Sequence, residues 1–67
     1  MQELICKDCY KVMCLGEDTD GDLMTLKVIC ICGKKNEFQF MGYPKLWGTH
    51  EIYFDFTDED ELTCHNR

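Results

Sequence analysis

The sequence predicts a small β-rich domain that depends on a chemical staple for its stability. Three observations support this prediction: the chain has only 67 residues, its apolar side chains recur with a period of two, and six residues are cysteine. A chain this short removes only about 60% of its unfolded surface from water. Domains of this size usually gain the missing stability from disulfides, a metal ion or a partner. We expect residues 1–67 to form one domain.

Three segments alternate apolar and polar side chains, which is the pattern of a half-buried strand. In the first segment, residues 23–29, Met24, Leu26 and Val28 share one face. Aromatic and β-branched side chains, which favour strands, give the same alternation in the other two segments, residues 37–41 and 51–56.

Local signals predict how these strands are joined. Gly33 lies between the first two strands, as a tight hairpin requires, and Pro44 ends the second strand because it cannot donate to a ladder. Thr57 can cap a single helical turn whose first residues are acidic. We expect residues 57–67 to form an acidic, mobile end.

The cysteines form two closely spaced pairs, Cys6-x2-Cys9 and Cys30-x-Cys32, and Gly33 follows the second pair. Two such pairs can direct four thiolates at one point, which is the arrangement of a structural zinc site. The glycine permits the positive φ that such a turn often needs. The sequence therefore predicts a structural Zn²⁺ ion bound by Cys6, Cys9, Cys30 and Cys32.

Two other cysteines and a histidine leave alternatives open. The one-residue spacing of the second pair is tight, so Cys64 or His65 can replace Cys30 or Cys32 as a ligand. Cys14 is expected to be a small buried apolar residue, and Cys64 a free thiol in the mobile end.

The N-terminal residues and the absence of a long apolar segment favour a reducing compartment. The N-terminal residues lack the basic and apolar regions of a signal peptide, and no segment has the length of a membrane span. We therefore expect a cytoplasmic protein, in which clustered cysteines are metal ligands. The alternative is a secreted domain with three disulfides, since the cysteine count is even.

The two cysteine pairs resemble those of zinc ribbons, in which two cysteine knuckles lie at the ends of hairpins. This resemblance covers roughly residues 4–43 and implies a three-stranded antiparallel sheet, although ribbons usually carry two residues between the second pair of cysteines. Residues 4–13 also look like the start of small phage zinc-finger regulators of the Com type, which bind mRNA. That shorter resemblance implies a phage-like regulator, which would act in the host cytoplasm.

The charge distribution favours a protein partner. The net charge is −6 and the pI is about 4.6, whereas nucleic-acid binders usually carry a basic face. An acidic run near the C-terminus can attract a basic surface, and exposed aromatic side chains can anchor it. The residues predicted to contact the partner are Tyr43, Trp47, Tyr53, Asp58, Glu59, Asp60 and Glu61.

A second class of function, direct RNA or DNA binding, stays open because lysines surround the cysteine pairs. These lysines are Lys7, Lys11, Lys34 and Lys35. Catalysis is the least expected class, since four thiolates leave no open position on zinc and no catalytic motif is present. We therefore predict a non-enzymatic regulator, such as an inhibitor of a polymerase or nuclease.

Overall fold

The computed structural model describes all 67 residues and consists of seven strands joined by turns. It contains no helix that is long and apolar enough to cross a membrane. The strands are β1 (Gln2–Ile5), β2 (Val12–Glu17), β3 (Leu23–Ile29), β4 (Lys35–Met41), β5 (Lys45–Trp47), β6 (Ile52–Asp58) and β7 (Glu61–Asn66).

The strands form two sheets. The first sheet has the order β1-β2-β5 and is antiparallel throughout. The second has the order β4-β3-β7-β6, in which β3 and β7 run parallel and the other pairs are antiparallel. The long β3–β4 hairpin pairs Leu26 with Phe38 near its centre.

The structure confirms the three predicted strands as β3, β4 and β6; β4 begins two residues earlier than predicted, and β6 begins one residue later and ends two residues later. The arrangement differs from a single three-stranded antiparallel sheet, because β7 lies between β3 and β6. The chain is a small β-rich domain, and its two sheets contain more strands than the predicted three-stranded ribbon.

The predicted helical turn after Thr57 is wrong. Residues 57–67 instead form the end of β6, a short turn and β7. Within β7, Leu62 and Cys64 are buried while Thr63 and His65 are partly exposed. This alternation is the signature of a strand, and pairing on both sides of β7 outweighs the weak preference of a few acidic residues for a helix N-terminus.

The two sheets enclose one apolar core. Its largest member, Phe40, is 1% exposed, and the only buried polar side chain is Asn36. The eleven apolar core residues are Leu4, Cys6, Met13, Cys14, Leu26, Val28, Cys30, Phe40, Ile52, Leu62 and Cys64. Of the four candidate metal ligands, Cys6 and Cys30 belong to this core and Cys9 packs against it. The candidate site and the core are therefore packed together.

Gly42 allows the loop before β3 to pack on the end of β4. Its φ is +70°, and a Cβ there would lie 2.7 Å from the carbonyl oxygen of Asp20. The loop is held by Thr19, whose backbone N–H donates to the Met41 carbonyl at 2.8 Å and whose hydroxyl donates to the Tyr43 carbonyl, also at 2.8 Å. This acidic loop, residues 18–22, therefore lies beside Tyr43.

Gly16 of β2 lies close against Phe40 of the other sheet. A Cβ at this position would lie 3.0 Å from Phe40 Cζ and 3.4 Å from Leu46 Cδ2. We expect Gly16→Ala to destabilise the domain, because overpacking a core costs about 1–3 kcal/mol. That cost exceeds the roughly 0.4–1 kcal/mol that alanine gains by restricting the unfolded chain. Urea denaturation measures the change.

A double-mutant cycle tests this cause. Phe40→Leu removes the ring that the new methyl group meets, so the added cost of Gly16→Ala should be smaller in the Phe40→Leu background. Strictly additive effects would show that the destabilisation has a different origin.

Candidate metal centre

Four cysteine sulfurs converge at one end of the molecule. The Sγ atoms of Cys6, Cys9, Cys30 and Cys32 all lie within 4.8 Å of one another. Two of the distances are 3.7 Å, between Cys6 and Cys32, and 3.5 Å, between Cys9 and Cys30. A tetrahedral metal–thiolate site with bonds of about 2.3 Å separates its sulfurs by roughly 3.8 Å. The cluster can therefore hold a metal ion with little movement.

The first pair of cysteines lies in the turn between β1 and β2. The Cys6 N–H donates to the Lys11 carbonyl at 3.0 Å, and the Tyr10 N–H donates to the Cys6 carbonyl at 2.9 Å. Tyr10 has a φ of +62°, a conformation that glycine adopts at lower cost. The Asp8 N–H points at Cys6 Sγ from 3.4 Å, so this turn directs backbone dipoles at a thiolate.

The second pair lies in the β3–β4 turn and has the same design. The Cys30 N–H donates to the Lys34 carbonyl at 2.9 Å, and the Gly33 N–H donates to the Cys30 carbonyl at 2.8 Å. Gly33 has a φ of +92°, which confirms the positive φ predicted after the second pair. The one-residue spacing does not prevent convergence, because this turn still brings Cys32 to the cluster.

The two turns bury the site unevenly. Cys6 and Cys30 are buried, Cys9 is partly buried and Cys32 is exposed. All six cysteines are free thiols. A metal ion held by these four sulfurs would have protein ligands at every tetrahedral position, which is the arrangement of a structural rather than a catalytic site.

The protein environment makes the thiols of Cys6 and Cys30 unequal. Burial disfavours the Cys6 thiolate, but hydrogen bonds from the Cys9 and Asp8 backbones and from Asn36 outweigh it and lower the pKa of Cys6 to about 6. Burial, followed by contacts with the neighbouring thiols, raises the pKa of Cys30 to about 12. Cys6 therefore ionises more readily than Cys30, and metal binding must release the proton of Cys30.

Asn36 connects the two cysteine turns, and the sequence reasoning missed it. Its side chain is 2% exposed. The Oδ1 atom accepts the Lys7 N–H at 3.0 Å, and Nδ2 donates to the Lys34 carbonyl at 3.2 Å. Nδ2 also lies 3.6 Å from Cys6 Sγ and 3.8 Å from the sulfur of Met13. One amide thus contacts both turns and a candidate ligand.

A signal for Asn36 exists in the alternation of β4. Asn36, Phe38 and Phe40 are two residues apart and therefore share one face of the strand. An amide on an otherwise aromatic face is a buried polar group, which must find hydrogen-bond partners. The backbone of the neighbouring cysteine turns supplies them.

Cys14 and Cys64 lie outside the cluster. Cys14 is fully buried, as predicted, while Cys64 is only 4% exposed and belongs to β7 rather than to a mobile end. Burial raises the pKa of Cys14 to about 12 and that of Cys64 to about 11. His65 lies 3.3 Å from the Asp55 carboxylate. The structure therefore does not bring Cys64 or His65 into the four-sulfur group.

The lysines around the turns divide into two groups. Lys7, Lys11 and Lys34 are exposed and form no ion pair, whereas Lys35 Nζ lies 3.3 Å from Glu61 Oε2. One residue of the predicted basic surface therefore contacts one residue of the predicted acidic surface. This pairing neutralises Glu61, whose side chain is 19% exposed, whereas the Lys35 side chain stays 53% exposed.

The predicted aromatic surface is split between different parts of the molecule. Tyr43 lies against Phe56, with ring centroids 6.4 Å apart. Tyr53 lies on the face of β6 opposite to Phe56, and its ring lies 5.2 Å from the ring of His65. Trp47 is 39% exposed and lies in β5 of the three-stranded sheet, where it pairs with Leu15 of β2. Tyr43 and Tyr53, both predicted to contact the partner, therefore do not lie on one surface.

Comparison with known proteins adds no family to this description. No protein-family model, curated protein or solved structure matches the chain. The assignment of the candidate site therefore rests on geometry alone: four clustered cysteines in a small β-rich domain can bind a metal ion.

Single substitutions should distinguish ligands from buried thiols. We expect Cys6→Ser, Cys9→Ser, Cys30→Ser and Cys32→Ser each to lower the bound zinc well below one ion per chain, because hydroxyls are poor zinc ligands. Cys14→Ala and Cys64→Ala are the matched controls and should retain one ion. Elemental analysis after gel filtration measures the ratio. Loss of zinc in Cys64→Ala with retention in Cys32→Ser would contradict this ligand set.

Proposed function

We propose that the protein is a non-enzymatic, zinc-stabilised regulator or adaptor that binds a basic surface of a larger nucleic-acid-handling machine. A polymerase or a nuclease is the expected type of machine, and inhibition is the expected effect. The proposal places the protein in the cytoplasm, which would be the host cytoplasm if a phage encodes it.

Zinc is the metal that best suits this donor set. Four thiolates in a tetrahedral arrangement favour Zn²⁺ or iron, and zinc is the usual ion of structural sites with four cysteines. The turns that hold Cys6–Cys9 and Cys30–Cys32 support a centre of the zinc-ribbon type, although the sheets around it are more extensive. The resemblance of residues 4–13 to Com-type regulators supports a regulatory role of phage origin.

The single observation that carries the proposed binding mode is an acidic turn with no internal counter-charge. Asp58, Glu59 and Asp60 are all exposed, and none of them forms an ion pair within the protein. They lie beside two exposed aromatic rings, since the Tyr43 hydroxyl donates to the Glu59 carbonyl at 2.9 Å and Tyr43 packs against Phe56. Uncompensated charge beside aromatic surface is what a basic protein partner would contact.

The acidic turn would act mainly before contact. Exposed charges act over a Debye length of about 8 Å at physiological salt, and they steer association more than they strengthen the final complex. A protein that normally holds nucleic acid has a basic groove, which would attract this acidic surface. The acidic turn would then compete with the phosphates of the nucleic acid.

A second function, direct binding of RNA or DNA, is favoured by one observation. Lys7, Lys11 and Lys34 are exposed residues of the two turns whose cysteines converge. Three lysines can contact phosphates, although the net charge of −6 opposes the approach of a polyanion.

Salt-dependent binding separates these functions. We expect the zinc-loaded protein to bind polylysine, with affinity that falls steeply as salt is added, and to bind single-stranded RNA and duplex DNA only weakly. Submicromolar, salt-dependent binding to either nucleic acid would instead support the second function. Fluorescence anisotropy with each labelled polymer measures all three affinities under identical conditions.

Charge neutralisation then tests the acidic turn. The triple variant Asp58→Asn, Glu59→Gln, Asp60→Asn should associate with polylysine more slowly and with a flatter salt dependence, because the steering charge is lost. Glu61→Gln is the matched control, since Glu61 is occupied by Lys35, and should change association little. Unchanged kinetics in the triple variant would mean that the acidic turn does not attract the partner.

A further inference from the structure

The acidic turn adjoins a shallow depression with a distinctive lining. Its walls are Tyr43, Phe56, Asp58 and Glu59, which are two aromatic side chains and two acidic residues. Phe56 is 57% exposed and Tyr43 is 48% exposed. The sequence reasoning included Tyr43 and the acids in a partner surface, but it assigned no role to Phe56.

The aromatic walls are held in place by the protein itself. The Tyr43 hydroxyl donates to the Glu59 carbonyl at 2.9 Å, and the carbonyl of Tyr43 accepts the Thr19 hydroxyl at 2.8 Å. The rings of Tyr43 and Phe56 meet at 34°, and Phe54 packs edge-on against Phe56 with centroids 5.9 Å apart. The depression therefore exists before a ligand arrives, which reduces the entropy lost on binding.

The electrostatics of the depression favour a cation. Aromatic faces carry negative potential and attract ammonium and guanidinium groups within about 6 Å. The carboxylates of Asp58 and Glu59 form no ion pair with any lysine or arginine of the chain. Burial, followed by the charges of Asp60 and Glu59, raises the pKa of Tyr43, which is consistent with negative potential at the ring.

We propose that the depression lined by Tyr43, Phe56, Asp58 and Glu59 is the docking site for an arginine side chain of the protein partner. This inference rests on the proposed function, because it assigns the basic surface of that partner to a specific contact. A guanidinium stacks on aromatic faces and also pairs with carboxylates through a planar set of donors. Arginine therefore fits the lining better than lysine, whose compact ammonium is more strongly hydrated.

A small peptide can probe this site without knowledge of the partner. The probe is acetyl-Gly-Gly-Arg-Gly-Gly-amide, and its control has citrulline in place of arginine, which has nearly the same shape without the charge. We expect the arginine peptide to give saturable NMR shifts centred on Tyr43, Phe56 and Glu59 of the zinc-loaded protein. The citrulline peptide should give none, and a lysine peptide should bind more weakly.

Substitutions test whether the aromatic walls matter. Phe56→Leu keeps an apolar side chain at an exposed position but removes the π face, and it should weaken binding of the arginine peptide about two- to fivefold, as expected for one exposed cation–π contact. Tyr53→Leu is the matched control on the opposite face of β6 and should leave the affinity unchanged. Zinc content and the dispersion of the amide spectrum establish that both variants are folded.

The outcomes separate this inference from the proposed function. Equal affinity of the peptide for Phe56→Leu and the unaltered protein, or shifts spread evenly over the acidic loop 18–22, would overturn the docking site. Polylysine binding that still depends on Asp58, Glu59 and Asp60 would in that case leave the proposed function standing. Absence of binding to polylysine as well as to the peptide would overturn both.

Discussion

Removal of the metal should unfold the protein. Structural zinc contributes about 10–16 kcal/mol in small zinc-finger peptides at neutral pH, whereas the whole net stability of a domain is typically about 5–15 kcal/mol. Cys6 and Cys30 belong to the apolar core, so protonation and separation of their thiols would loosen the core itself. A strong chelator under reducing conditions should therefore abolish the β-sheet circular dichroism, and added zinc should restore it.

Acidification should act in the same direction as the chelator. Zinc binds thiolates, so each bound proton competes with the metal, and the affinity falls as the pH falls. The controls are Cys14→Ala and Cys64→Ala, whose spectra should respond to chelator as the unaltered protein does. A dispersed amide spectrum that persists in the reduced, metal-free protein would contradict the prediction.

Asn36→Ala should have the next largest effect. The substitution leaves the part-buried Lys7 N–H without its acceptor, and it removes one of the two donors to the Lys34 carbonyl, which keeps the Cys30 N–H. A polar group left without its partner costs about 1–3 kcal/mol, so we expect a loss of that order. Groups that orient metal ligands typically change metal affinity by about 10- to 100-fold. Competition with a chromophoric chelator would measure the zinc affinity.

A near-isosteric substitution isolates the role of the amide. Asn36→Asp keeps an acceptor for the Lys7 N–H but places negative charge near Cys6 Sγ and removes the donor to the Lys34 carbonyl. We expect it to weaken zinc binding at least as much as Asn36→Ala. Asn66→Ala, at an exposed position at the end of β7, is the control and should be neutral. Unaltered zinc affinity in Asn36→Asp would show that the amide does not support the site.

The sequence predicts the strands that alternate strongly and fails where the alternation is short or interrupted. β3, β4 and β6 each have seven residues and a clear apolar face. β1 and β5 have only four and three residues, so their pattern is too short to recognise. β7 was missed because its buried positions include Cys64, which the sequence alone does not distinguish from a thiol in a tail.

In the candidate site, too, local features could be predicted from the sequence and long-range contacts could not. The spacing of Cys6, Cys9, Cys30 and Cys32 predicts their convergence, because each pair lies within a single turn. The contact of Asn36 with both turns and the pairing of Lys35 with Glu61 depend on how distant strands meet. No local pattern determines which acidic side chain a lysine reaches across a sheet.

The central position of β7 has a consequence for the order of folding. The residues of the cysteine cluster span positions 6–32, so the chain can close around a metal ion early and at modest loop-closure cost. The four-stranded sheet, in contrast, is complete only when Glu61–Asn66 inserts between β3 and β6. Pairings between segments far apart in the chain form slowly. We therefore expect zinc-triggered refolding to show a fast phase at the cysteine turns. A slower phase should follow, in which β7 docks and water is excluded from the core.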